Sequence, residues 1–183
     1  MPERYRIVEE ASIYFVTYTV VEWLPVFTTE AACQIVTESM NYCHEGKGLC
    51  TNGFVIMPTH MHAIFFDELF DNERLQKSLA DFRKFTGRRM CEYIDRYMSE
   101  QFSRTLRTSS TAGRERRFWQ PSRHVEGIQS ERFWEQKLNY IHDNPCRKGF
   151  VSKAEDWRYS SAKYYYSDAV EECDVRISPL DWS

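Results

Sequence analysis

No apolar run in this sequence approaches the ~20 residues that a bilayer-spanning helix requires, which argues against an integral membrane protein. The N-terminal MPERYRIVEE lacks the apolar core of a secretory signal, so an intracellular, cytoplasmic protein is expected. None of the six cysteines (Cys33, Cys43, Cys50, Cys91, Cys146 and Cys173) stands in a CxxC pair. That spacing excludes a zinc ribbon or a thioredoxin-type redox site, and free thiols are expected. Cys43, His44 and Cys50 come nearest to a soft-metal set, but a structural zinc needs four ligands. Net positive charge is missing as well, since the formal balance is −3. A nucleic-acid partner is therefore not announced by total charge.

The distribution of charge says more than its sum. Residues 74–117 carry twelve Lys/Arg against five Asp/Glu, a local balance of +7, which leaves the rest of the chain at −10. Such segregation lets an acidic protein present a phosphate-binding face, although a solvated helix followed by a basic loop would look the same. The length of 183 residues suits one domain, and the hydrophobic share of 42% with 15% aromatics is enough for a substantial core. No internal repeat and no domain boundary is evident, so 1–183 is read as a single domain.

The order of elements follows from periodicity. Residues 12–21 (SIYFVTYTVV) are β-branched and aromatic and read as a strand. Thr28 or Thr29 can cap a helix extending to about residue 43, which Gly46 and Gly48 close. Residues 49–57 and 60–66 read as two strands separated by Pro58 and Thr59. A long helix is expected over 72–99, with Leu75, Leu79, Phe82, Phe85, Met90, Tyr93 and Tyr97 as its buried stripe. Residues 103–116 are polar and read as a loop. A short strand is expected within 117–128. Ser130 caps a further helix, which is expected to end before Pro145, and an aromatic-rich irregular tail follows. The order β-α-β-β-α-β-α favours an α+β, ferredoxin-like sandwich: a mainly antiparallel sheet with helices packed on one face.

Two short motifs carry chemistry. His60 and His62 alternate on a strand, so both imidazoles project from one face and can share a divalent cation. The plain alternative is a pair of solvent-facing or hydrogen-bonded histidines. In NYIHDNP, Tyr140 and Asn144 lie one helical turn apart and look in one direction. Asn144 can offer an amide oxygen to a hard metal and Tyr140 a phenol oxygen, with Asp143 a rival ligand. The alternative makes Tyr140 a core aromatic and Asn144 a helix stop.

The segment VIMPTHMHAIFF resembles the one that carries the His-hydrophobic-His signature of HUH single-strand transposases. The passage from Phe118 to Tyr165 resembles the C-terminal half of the REP-associated tyrosine transposases. It contains Trp119–Gln120, a helix with Tyr140 and then Asn144–Pro145, the basic step Arg147–Lys148–Gly149, and Trp157 followed by Ser160–Ser161. The resemblance covers nearly the whole chain, except that residues 100–117 look longer and more polar than the family's connection. It implies that His60, His62 and Asn144 bind a divalent metal, Mg²⁺ or Mn²⁺, and that Tyr140 is the nucleophile. It further implies a nicking and joining reaction on single-stranded or hairpin DNA through a covalent 5′-phosphotyrosine, by a monomer or homodimer. Lys77, Arg83, Lys84, Arg88, Arg89, Arg116 and Arg117 are the candidate phosphate contacts, and Phe118 and Trp119 are candidate base-stackers with core packing as the alternative. No separate general base is evident beyond His124 and His142, either of which can equally be structural. The competing functions are a domesticated, non-catalytic DNA-binding protein and a small metal-dependent phosphoesterase.

Overall fold

The computed structural model describes residues 5–6, 12–109, 116–121 and 124–183. Its centre is a four-stranded antiparallel sheet in the order β3-β4-β2-β5, formed by Leu49–Met57, His60–Asp67, Ile13–Thr19 and His124–Gly127 respectively. A short parallel pair, β1 (Tyr5–Arg6) with β6 (Leu180–Asp181), lies outside it. The α+β, antiparallel-sheet architecture expected from the element order is the one observed.

Strand alternation sorts the core into two layers. Val16, Tyr18, Phe54, Ile56, Met61, Ala63 and Phe65 meet helices α1 (Glu30–Lys47) and α2 (Asn72–Tyr97) on one face. Ile13, Phe15, Val55, Ile64 and Phe66 meet Leu138 and Ile141 of α4 (Glu131–Arg147) on the other. The expected helical layer on one face is thus α1 and α2, and α4 adds a second layer behind the sheet. Met61 turns away from its two histidine neighbours, as a two-residue period requires.

Local signals explain most boundaries. Thr29 caps α1 by accepting from the Ala32 amide, and Gly48 closes it at φ 68°, a left-handed position suited to glycine. Asp71 and Ser130 cap α2 and α4 in the same way. Pro58 and Thr59 make the two-residue link between β3 and β4, so His60 pairs with Met57 directly across the turn.

Three expectations need correction. Residues 100–108 are helical, as α3 (Glu100–Thr108), not a loop; Ser103 and Leu106 supply the buried side that a count of apolar residues overlooks. The rest of that polar stretch, 110–115, lies outside the described residues. Helix α4 does not stop before Pro145 but runs through it to Arg147. A proline there forfeits one backbone hydrogen bond in the last turn only, and burial of Asn144 and Pro145 offsets the loss. On α2, Phe85 and Tyr97 are exposed, because Thr86 and Ile94 take the inward positions.

The tail fastens α4 to the sheet. Ile56 N–H donates to the Tyr159 carbonyl at 2.8 Å, and Ser161 N–H to that of Phe54 at 2.9 Å, so the outer edge of β3 is covered. Tyr165 Oη donates to the Asn52 carbonyl, and Trp157 Nε1 to that of Ile56. Gly53 permits the close approach of α4: a Cβ there would lie 2.6 Å from Leu138 Cδ1.

Candidate active site

The sheet register and α4 together build one cluster. His60 and His62 project from β4 toward α4 with ring centroids 4.8 Å apart. Tyr140 meets His62 edge-on at 5.2 Å and Phe15 at 6.0 Å. Phe15 in turn stacks on His62 at 5.5 Å. The two motifs singled out in the sequence, 78 positions apart, therefore converge. Asn144 follows one turn further along α4 and is buried, whereas Tyr140 is 38% exposed.

The hydrogen bonds fix which ring atoms are available. Thr17 stands opposite His62 in the register, and its Oγ1 lies 2.8 Å from His62 Nδ1. Thr59 Oγ1 lies 2.9 Å from His60 Nδ1. Each imidazole is thereby engaged through Nδ1 and turns its Nε2 elsewhere. His62 Nε2 and Asn144 Oδ1 are both buried and have no hydrogen-bond partner. Buried polar atoms are seldom left so, because desolvation without a partner costs ~1–3 kcal/mol each. One such atom belongs to His62 and the other lies one helical turn from Tyr140, which is a reason to look for a ligand.

Electrostatics favour neutral rings. Burial, with Lys148 nearby, lowers the His60 pKa to about 4. Burial lowers that of His62 to about 3, with further contributions from His60, Lys137 and His124. Both imidazoles thus have lone pairs to give across the neutral pH range, as metal ligation requires. The donors a hard cation could use here are His60, His62 and Asn144. Among the described residues no group of three His, Cys, Asp or Glu is gathered around a possible metal position. This site instead offers two imidazoles and an amide.

Sequence reasoning did not assign several residues at this site. Arg147 lies over the Tyr140 ring at 5.5 Å. Lys137 lies over Phe15 at 4.5 Å and pairs with Glu126 at 2.7 Å. Positions 137, 140 and 144 share one face of α4, so helical spacing from Tyr140 could have flagged Lys137. Thr17 could have been found only from the strand register. Of the two candidate bases, His142 is fully buried between Ser161 Oγ at 2.7 Å and Tyr166 Oη at 2.9 Å, a tie between helix and tail. His124 is exposed on β5 and paired with Glu126.

The basic candidates divide. Arg83, Lys84, Arg88, Arg116 and Arg117 line an open groove of about 980 Å³ between α2 and residues 116–121; Lys77 and Arg89 are not part of its wall. Some of this charge is used internally: Arg83 donates to the Gln120 carbonyl at 2.9 Å, and Arg116 pairs with Asp95. Phe118 and Trp119 are not exposed stackers. They are 3% and 5% exposed and pack against Phe27, with Trp119 Nε1 donating to Thr86 Oγ1.

The fold is shared with a solved structure. A REP-associated tyrosine transposase bound to a REP hairpin superposes with a TM-score of 0.58 at 17% identity, over 100% of this chain and 96% of that one. A protein from Deinococcus radiodurans R1 described as a transposase gives a TM-score of 0.47 at 16% identity, over 72% of this chain and 88% of that one. No family model matches the chain, and no curated protein does. The first of these structures shows that this α+β fold is one used by a tyrosine transposase. None of the helices among the described residues is long and apolar enough to cross a membrane.

Proposed function

We propose that this protein is a transposase-like enzyme that nicks and rejoins single-stranded or hairpin DNA, with Tyr140 as nucleophile and His60, His62 and Asn144 as ligands of Mg²⁺ or Mn²⁺. The observation that carries the reading is the convergence of His60, His62 and Tyr140, with His62 Nε2 buried and unpartnered and, one helical turn beyond Tyr140, Asn144 Oδ1 buried and unpartnered too. Two neutral imidazoles and an amide oxygen leave room for the waters that Mg²⁺ and Mn²⁺ retain. A cation bound there would draw charge from the phosphate oxygens and orient the scissile group.

The chain's own residues do the rest. Tyr140 stands half in solvent beside His62, where a phosphodiester can reach it. Its phenol oxygen attacks phosphorus and its proton passes to solvent, while the phosphorus–oxygen bond to the departing strand breaks and the leaving 3′-oxygen takes a proton from solvent. The products are a 5′-phosphotyrosine and a free 3′-hydroxyl. The covalent bond conserves the energy of the phosphodiester, so a 3′-hydroxyl can reverse the step and join strands without ATP. Arg147, above the Tyr140 ring, is placed to meet a phosphate oxygen brought to Tyr140. Thr17 and Thr59 hold the imidazoles in orientation. The REP hairpin bound by the superposable transposase supports hairpin DNA as the substrate form.

The test is a nicking assay on labelled single-stranded and hairpin DNA with Mg²⁺, Mn²⁺ or EDTA. Metal-dependent cleavage with a covalent protein–DNA product is expected; persistence of cleavage in EDTA would contradict the metal assignment. A finer expectation concerns Thr17. Thr17→Val keeps the side-chain shape but removes the oxygen beside His62 Nδ1, so the Mn²⁺ concentration for half-maximal cleavage should rise roughly 10–100-fold. An unchanged Mn²⁺ dependence would leave Thr17 with no orienting role.

The groove of Arg83, Lys84, Arg88, Arg116 and Arg117 is the proposed phosphate-binding surface. Lys84 and Arg88 are exposed and one turn apart. Reversing both charges should weaken binding to every DNA sequence and flatten the dependence of log K on log salt by about one unit or more. Unchanged affinity and slope would make the groove a solvated face.

A further inference from the structure

Beside His60 the chain adopts a backbone conformation that its own residues disfavour. In the short turn Val21–Trp23, Glu22 and Trp23 stand at φ 51° and 55°. Left-handed backbone is costly for residues other than glycine and persists where surrounding structure enforces it. The enforcement is visible on both sides. Val20 N–H donates to the Thr59 carbonyl at 3.0 Å, Val21 N–H to that of Phe118 at 2.8 Å, and Phe27 N–H to that of Pro58 at 3.1 Å. Val20, Val21 and Val26 are buried around the turn.

The turn holds an indole out in solvent. Trp23 is 60% exposed, while Trp119 is buried and Trp134, Trp157 and Trp182 are at least partly so. Its ring meets His60 edge-on, with centroids 6.5 Å apart and planes at 75°. A tryptophan placed this way contributes little to the core, yet two strained residues maintain it. Trp23, His60, His62 and Tyr140 form a continuous run of ring contacts, and Arg147 lies over the Tyr140 ring at its far end. An exposed aromatic plate at one end of such a run, with a cation at the other, is an arrangement that can hold an unpaired strand, base on ring and phosphate on charge.

We propose that Trp23 is a stacking platform for the unpaired nucleobase next to the scissile phosphate. The proposal rests on the nuclease reading for the identity of that phosphate. Stacking on an indole face tolerates any base, so the platform orders the strand at the catalytic site without selecting a sequence. It also favours single strands over duplex DNA, because within a duplex both faces of a base are already stacked on its neighbours.

The experiment measures binding of a dye-labelled, mixed-sequence single-stranded 12-mer to the wild type, Trp23→Ala and Trp23→Phe, with indole fluorescence and covalent-adduct yield recorded in parallel. Trp23 is largely exposed, so melting temperatures should be alike. Trp23→Ala should bind roughly tenfold or more weakly, the loss expected for one stacked base. Trp23→Phe should retain most of the affinity yet lose the larger part of the DNA-induced quenching. Wild-type affinity and adduct yield in Trp23→Ala would overturn the platform while leaving the nuclease reading intact. Binding that depends on Trp23 in a wild type that forms no adduct would support the platform and sink the nuclease reading instead.

Discussion

Tyr140→Phe should abolish strand cleavage and the covalent adduct together, with a loss on the order of 10⁴-fold or more, as for removal of other enzyme nucleophiles. The substitution deletes one oxygen from a side chain that is 38% exposed and packs through its ring on His62 and Phe15. Those ring contacts survive in phenylalanine, so the melting temperature should barely move. DNA binding should survive too, because the proposed phosphate contacts lie on α2 and residues 116–121. This combination separates the proposal from both competitors. A metal-dependent phosphoesterase would keep full activity in Tyr140→Phe, and a non-catalytic binding protein would have none to lose.

His62→Ala should be the second severe variant. It removes a buried imidazole whose Nε2 has no protein partner, together with the ring that Tyr140 and Phe15 pack against. Cleavage should fall by about three orders of magnitude or more, the several kcal/mol that a cation contributes at a phosphoryl centre. Some stability should be lost as well, since a ring 5% exposed leaves a cavity. His60→Ala is the cleaner partner, because His60 is only partly buried at the sheet's end. The same loss of cleavage is expected there with little change in melting temperature. Normal Mg²⁺- or Mn²⁺-dependent cleavage by the His60→Ala protein would refute the ligand assignment.

The site was legible where its geometry is local. A period of two brings His60 and His62 to one face, and a period near four aligns Tyr140 with Asn144; both hold in any strand or helix that contains them. Their meeting is not local. It depends on Gly53 admitting Leu138, and on a tail that ties α4 to β3. Thr17 is opposite His62 only because β2 pairs with β4 in one register, which neither strand encodes alone. Trp23 was hidden for a related reason: its turn is forced into left-handed backbone by bonds to Thr59, Phe118 and Pro58, against the preference of its own residues. Pro145 misled because a helix-breaking residue in a final turn costs only one hydrogen bond. Phe118 and Trp119 were ambiguous because an aromatic beside arginines suits a core margin and a nucleic-acid surface equally well.

In the proposed reaction Tyr140 becomes covalently linked to DNA. Its most direct test is tryptic mass spectrometry of the protein trapped on a single-stranded or hairpin oligonucleotide in Mn²⁺ and digested with nuclease. A residual nucleotide mass is expected on the peptide that contains Tyr140, and no adduct in Tyr140→Phe. A nucleotide mass on a peptide lacking Tyr140, or an adduct that persists in Tyr140→Phe, would contradict it.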